Sequence, residues 1–154
     1  MALTGLELHH VALRIRPGTE HATEVFFGEV LGLHPDPGAR EIPGIPLFWM
    51  DVGNTQLHLF SVEGTSQYAR TPDRDPFTQH IAFGVPDIAA ARAELDRLGT
   101  TYWKAGRGAD LQVFTYDPSG AMIELHQIGT CRCQAVARAG STAAGEGASP
   151  LYTA

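Results

Sequence analysis

One stretch of this chain is written twice. His10-Val11-Ala12-Leu13-Arg14-Ile15 and His80-Ile81-Ala82-Phe83-Gly84-Val85 share the pattern H-[VI]-A-[LF]-x-[IV]. A repeat of this kind constrains a fold more than local propensity does, because each copy must bury the same face in the same way. Both copies alternate with period 2 and are rich in β-branched and aromatic residues, so both read as strands. A helix candidate follows each. The first spans 20–31, with Val25, Phe26 and Val30 on one side, and closes at Gly32. The second opens at Pro86-Asp87, carries Ile88, Ala91, Leu95 and Leu98 at helical spacing, and closes at Gly99.

Three short strand candidates come after each helix. They lie near 39–42, 47–51 and 56–61 in the first copy, and near 101–104, 111–116 and 121–126 in the second. The last pair turns at Gly53-Asn54 in one copy and at Asp117-Pro118-Ser119-Gly120 in the other. The order is βαβββ twice, an α+β chain. The boundaries expected are 6–61 for the first module, 62–78 for a Gly- and Pro-containing linker and 79–128 for the second module. Residues 129–154, rich in Ala, Gly and Ser, form a tail that adds little core.

Strand alternation decides which side chains share a face. Val11, Leu13 and Ile15 form one side of the first strand and should pack on its helix; His10, Ala12 and Arg14 point the other way, with His9 on the helix side or near the strand end. In the second copy Ile81, Phe83 and Val85 oppose His80, Ala82 and Gly84. On the last strand of each module, Leu57 and Leu59 oppose Gln56, His58 and Phe60, and Ile123 and Leu125 oppose Met122, Glu124 and His126. One imidazole or carboxylate therefore sits mid-strand on the face away from the helices at four equivalent positions: His10, His58, His80 and Glu124. If the two half-sheets curve together, the four converge. A buried carboxylate among imidazoles needs a partner to offset its desolvation, and a cation supplies one. This donor set suits a divalent transition metal (Zn, Ni, Co, Mn or Fe) over Ca or Mg. An open cup would leave coordination positions for water or substrate.

Composition excludes other classes. The 154 residues carry a formal charge of −6, and the arginines are scattered, so no track exists for phosphates and no nucleic-acid partner is expected. No apolar run approaches the roughly 20 residues of a membrane span, and Glu7 and His9 interrupt the N-terminus before a signal-peptide core forms. A cytoplasmic protein with a small-molecule substrate and no membrane partner is the expectation. Cys131 and Cys133, alone in the chain, read as free thiols at the root of the tail.

At these residues the chain resembles the vicinal oxygen chelate superfamily, which includes glyoxalase I, methylmalonyl-CoA epimerase, extradiol dioxygenases and bleomycin-resistance proteins. The resemblance covers roughly residues 6–128, and its specific parts are the two H-[VI]-A strands and Asp117-Pro118-Ser119-Gly120-Ala121-Met122-Ile123-Glu124-Leu125. It implies paired βαβββ modules in a curved, cup-shaped eight-stranded mixed sheet with helices on the convex side. It also implies metal ligands at His10, His58, His80 and Glu124, and a homodimer. Glyoxalase I is similar around the first strand, where its substrate-binding arginine corresponds to Arg14, and its glutamate base corresponds to Glu124. The chain departs from it at His58, where a glutamate is usual, and at Val62, where an asparagine holds glutathione.

Three functions follow from this reading. The first is a metal-dependent isomerase or lyase that chelates substrate through adjacent oxygens, with Glu124 or His126 as base and Arg14 anchoring a carboxylate. The second is an extradiol-type Fe(II) dioxygenase with His10, His80 and Glu124 as a triad and His58 as a neighbouring acid or base. The third is a non-catalytic drug-binding module, with Trp49, Phe60, Trp103, Phe114 and Tyr116 lining an apolar pocket.

Overall fold

The structure, a computed structural model, describes residues 2–129. The expectations for Cys131, Cys133 and the tail from residue 130 onward lie outside the described residues. Each copy of the repeat begins with its H-[VI]-A strand, β1 (Glu7–Ile15) and β5 (His80–Val85). The remaining strands are β2 (His34–Pro35), β3 (Leu47–Val52), β4 (Thr55–Ser61), β6 (Tyr102–Ala105), β7 (Gln112–Tyr116) and β8 (Met122–Gln127). Helices α1 (Glu20–Val25) and α2 (Ile88–Arg97) follow β1 and β5. All eight strands form one open mixed sheet in the order β2-β3-β4-β1-β5-β8-β7-β6. Each copy contributes a contiguous half, and the halves meet edge to edge through antiparallel β1 and β5. No helix among the described residues is long and apolar enough to cross a membrane.

The second copy follows its sequence pattern closely. Asp87 caps α2 by accepting from the backbone N–H groups of Ala89 and Ala90 at 2.8 and 2.9 Å. Ala91 and Leu95 of α2 pack against Val85, Val113 and Leu125, which fixes the helix on the face opposite His80 and Glu124. In the first copy β3 and β4 turn tightly, with Val52 opposite Thr55. Gly53 takes a φ of +58° while no non-glycine residue among the described residues has positive φ, as a two-residue II′ turn requires.

Two expectations for the first copy need correction. The strand expected at 39–42 is instead the short β2 at His34–Pro35, and Ile42 makes only an isolated bridge to Ile45 across the Pro43-Gly44 turn. Pro37, Pro43 and Pro46 lack the N–H a strand ladder needs, so this segment cannot run on as a strand. The first helix also loses its regular period. After Val25 the chain continues as a π-helical stretch, Phe26–Val30, with Leu31 N–H donating to Phe26 C=O at 3.1 Å. This wider turn rotates the expected face off the sheet, and Phe26 and Val30 are 48% and 66% exposed. Below them Leu13, Ile15 and Leu59 line a groove beside α1.

The segment between the copies is a tightly bonded strap. Asp75, 1% exposed, accepts from Ser66 N–H and Oγ–H, each at 2.7 Å, from Phe77 N–H at 2.9 Å and from Arg14 Nη2 at 2.9 Å. Phe77 packs on Ala12 and Phe60, so the strap covers part of the concave face of the first copy. It reaches the second copy through the Tyr116 hydroxyl, which donates to the Asp73 carbonyl. Removing the carboxylate leaves four donors without their acceptor. Asp75→Ala should therefore lower the unfolding free energy by about 3 kcal/mol or more, measured by urea denaturation, and Asp75→Asn should recover part of it.

Candidate metal centre

The four expected ligands lie on four adjacent strands, β4, β1, β5 and β8. Two alanines make their approach possible. Ala12 pairs with His58 on one side and His80 on the other, and Ala82 pairs with Glu124 and His10. Both alanines are buried and leave a flat floor over which the flanking polar side chains lean together.

His10 Nε2, His80 Nε2 and Glu124 Oε2 form a triangle with edges of 2.9 Å (His80–Glu124), 3.2 Å (His10–His80) and 3.6 Å (His10–Glu124). These three residues form the group able to hold a metal among the described residues. Donors about 2.1 Å from one metal stand about 3.0–3.4 Å apart at right-angle to tetrahedral openings, so the triangle fits.

The proton positions point the same way. His80 Nδ1 lies 2.6 Å from the Thr78 carbonyl, which only accepts, so Nδ1 carries the proton. In the tautomer with one proton, Nε2 would turn a lone pair toward the buried Glu124 Oε2, 2.9 Å away. The short His80–Glu124 approach is attractive only with a positive charge, a proton or a metal, between the two atoms. Glu124 Oε1 is held by Gln112 Nε2 at 3.0 Å.

Charge balance adds a further reason. Burial alone would push the Glu124 carboxyl up, but the adjoining His10 and His80 outweigh it and hold the group well below the usual range. Burial pushes His10 below its ordinary value against the pull of Glu124, and pushes His58 well below it with help from His10. Glu124 is thus kept ionised by the charge and hydrogen bonds of the imidazoles beside it, while burial opposes a charge on His10 and His58, and a divalent cation would satisfy both demands at once.

His58 stands apart from the triangle. Its ring stacks on His10 at 4.0 Å and on Trp49 at 4.5 Å, and its Nε2 donates to Gln56 Oε1 at 3.2 Å. Gln56 can only accept there, because its own amide nitrogen bonds Asp36 and Asp51.

The register of β1 against β5 slips by one residue between Leu8 and His10. This bulge puts His9 on the same face as His10, against the strict alternation that assigned it to the helix side or strand end. His9, 1% exposed, brings its Nδ1 to 2.8 Å from His10 Nδ1 and stacks on His126 at 5.0 Å. When His10 offers Nε2 to a metal its Nδ1 bears the proton, and His9 is its acceptor. The His-His doublet was the signal for His9, but nothing local marks where a strand bulges.

A cavity of about 50 Å³ opens beside the triangle, lined by His10, His58, His80, Glu124 and His126 with Trp49, Phe60, Ile42, Gln112, Pro76 and Arg40. Trp49, Phe60 and His126 are thus brought to this one cavity, and His126 is buried rather than solvated at the strand end. Trp103 and Phe114 instead form a buried cluster with Met122, and Tyr116 is half exposed. Arg14 is not at the cavity. Its guanidinium donates to Phe77 O at 2.7 Å, to Gly64 O at 2.5 Å and to Asp75, so the expected substrate anchor is a clamp on the strap. Arg40 was missed, since it lies in the irregular segment where no periodicity operates.

The family model of the Glyoxalase/Bleomycin resistance protein/Dioxygenase superfamily matches residues 7–125, and the chain belongs to that superfamily. No match exists among curated proteins. Among solved structures, a hypothetical protein from Bacillus halodurans superposes with a TM-score of 0.62 at 17% identity, covering 80% of this chain and 95% of that one. Methylmalonyl-CoA epimerase from Mycobacterium tuberculosis gives 0.59 at 25% identity, covering 78% and 86%. The 2,3-dioxygenase LapB from Pseudomonas sp. KL28 gives 0.58 at 22% identity; the match covers 86% of this chain and 44% of LapB.

Two predictions follow from the geometry. In a zinc titration, His10→Ala and His80→Ala should each weaken binding far more than His58→Ala, and His9→Leu should weaken it by roughly 10- to 100-fold. The metal-free protein should also lose stability in acid. His9, at about 3 when folded against an ordinary 6.5, takes up a proton more readily unfolded, as do His10 and His58. Burial is the largest cause for His9, followed by His10 and His126. These contributions are complete above about pH 6.5 and are lost as pH falls toward the folded values; that of Glu124 is lost later, below about pH 4.3. Urea midpoints between pH 7.5 and 4.5 should fall steadily.

Proposed function

We propose that this member of the superfamily is a divalent-metal-dependent enzyme of the lyase or epimerase kind, which holds a small substrate through adjacent oxygens while a proton moves beside a carbonyl. The observation that carries the reading is the convergence of three possible ligand atoms, His10 Nε2, His80 Nε2 and Glu124 Oε2, at the base of a cavity. A transition metal held there supplies a Lewis acid that stabilises negative charge developing on a substrate oxygen. Three protein donors leave positions open for two substrate oxygens. Trp49, Phe60 and Ile42 form the apolar wall that orients the substrate and excludes water.

His126 is the proton-transfer group in this reading. Glu124 has one oxygen tied to Gln112 and the other among the metal donors, so it is poorly placed to act as base. His126 lines the same cavity and lies outside the donor triangle. The likeness to the M. tuberculosis epimerase supports this class. The homodimer expected from the resemblance belongs to the proposal too, with sedimentation as its check.

One observation favours a second reading. Two histidines and one carboxylate, with His58 beside rather than among them, make the donor set of non-haem Fe(II) oxygenases. Elemental analysis tests the common part: about one transition-metal ion per chain in the purified protein, lost in Glu124→Ala. Full occupancy in that variant would overturn the site. Loading then separates the two reactions. Zn, Ni or Co protein under nitrogen should exchange the α-proton of an acyl thioester or 2-oxo acid into D₂O. His126→Ala should slow this by roughly 10²- to 10⁴-fold with metal retained. Oxygen uptake with a catechol, confined to Fe(II)-loaded protein, would select the second reading.

A further inference from the structure

Arg40 lies between β2 and β3, and Asp110 ends the short 3₁₀ turn Gly108–Asp110 between β6 and β7. Those strands are the two ends of the sheet order, yet Arg40 Nη2 stands 3.4 Å from Asp110 Oδ1. The sheet is open in its hydrogen bonding, and this ion pair brings its far ends together. Arg40 is also on the cavity wall with Ile42, Trp49 and Phe60, and is the one lysine or arginine among the lining residues.

The pairing is loose for the groups involved. A guanidinium seated on a carboxylate makes two parallel contacts of about 2.7–2.9 Å; here one nitrogen meets one oxygen at 3.4 Å. Asp110 is 30% exposed in its side chain and Arg40 16%, so parting them costs Asp110 little in hydration. With the pair closed, the cavity of about 50 Å³ holds only a few waters.

We propose that Arg40 recognises the carboxylate of a small organic acid, exchanging Asp110 for it, and so makes the site selective for substrates with a free carboxylate. This names the substrate class for the metal-site reading and rests on it only in that both groups share one cavity. Asp110 holds Arg40 in reserve and competes with the substrate for it. The small volume and the apolar wall favour a carboxylate of a few carbons over a bulky phosphate ester.

The test uses pyruvate against the neutral, nearly isosteric pyruvamide, followed by tryptophan emission because Trp49 forms part of the wall. In metal-free wild type, pyruvate should bind roughly tenfold or more tightly than pyruvamide. Arg40→Gln should erase that preference and Arg40→Lys should keep part of it. Asp110→Asn should tighten pyruvate binding several-fold by removing the competitor. An undiminished preference in Arg40→Gln, or weaker pyruvate binding in Asp110→Asn with an unchanged melting curve, would overturn the proposal. A parallel zinc titration separates the two readings. Arg40-dependent selectivity without zinc binding sinks the metal centre alone, and zinc binding without selectivity sinks this inference alone.

Discussion

The pairing of β1 with β5 is the contact on which everything else hangs. It joins the two copies of the repeat, and its register sets Ala12 opposite His80 and Ala82 opposite His10. Parallel β4 and β8 then bring His58 against Ala12 and Glu124 against Ala82. A slip of one residue along this seam would turn the donors of one copy to the face opposite those of the other, because side chains alternate with period 2. The alanines matter as much as the donors. A β-branched residue at position 12 or 82 would stand in the space where the imidazoles and carboxylate now meet.

The site exchanges one cost for another. Burial opposes a charge on His10 and His58, while Glu124 is buried and held ionised by the imidazoles beside it. Among the described residues Gln112 serves one carboxylate oxygen, and the other faces the His10 and His80 ring nitrogens. Such an arrangement weakens the metal-free fold and strengthens affinity for whatever cation completes it. The division between His10, fixed through His9, and His80, fixed through the Thr78 carbonyl, shows two ways of securing one tautomer. The imidazole partner on His10 is the less usual, and it is there because β1 bulges.

Much of this was legible in the amino-acid sequence, because the repeat let one copy confirm the face assignment of the other. The eight-stranded sheet and the common face of His10, His58, His80 and Glu124 follow from alternation plus duplication. What escaped had no periodic signature. The bulge at His9 breaks alternation at a point where two histidines look alike from either side. The π-helical stretch after Val25 changes the residues per turn without any proline or glycine at its start. β2 is displaced by prolines whose effect on strand position is not local. Arg14 shows a different limit: its place relative to His10 matches a substrate anchor, but Asp75, which claims it, lies 61 residues away. His58 keeps the face assigned to it, but alternation could not say that Trp49 and His10 sandwich its ring.

The strap anchored by Asp75 also bears on how copies of this chain can associate. Two-module chains can trade modules between molecules when the connecting segment is free to swing out. Here that segment is folded over the concave face of its own first module, with Phe77 against Ala12 and Phe60 and its carboxylate saturated by Arg14 and three neighbouring donors. A chain that exchanged modules would have to loosen this cover where it reaches the second copy, at the Tyr116 to Asp73 hydrogen bond. The strap therefore opposes any exchange of modules, because its contacts would first have to open.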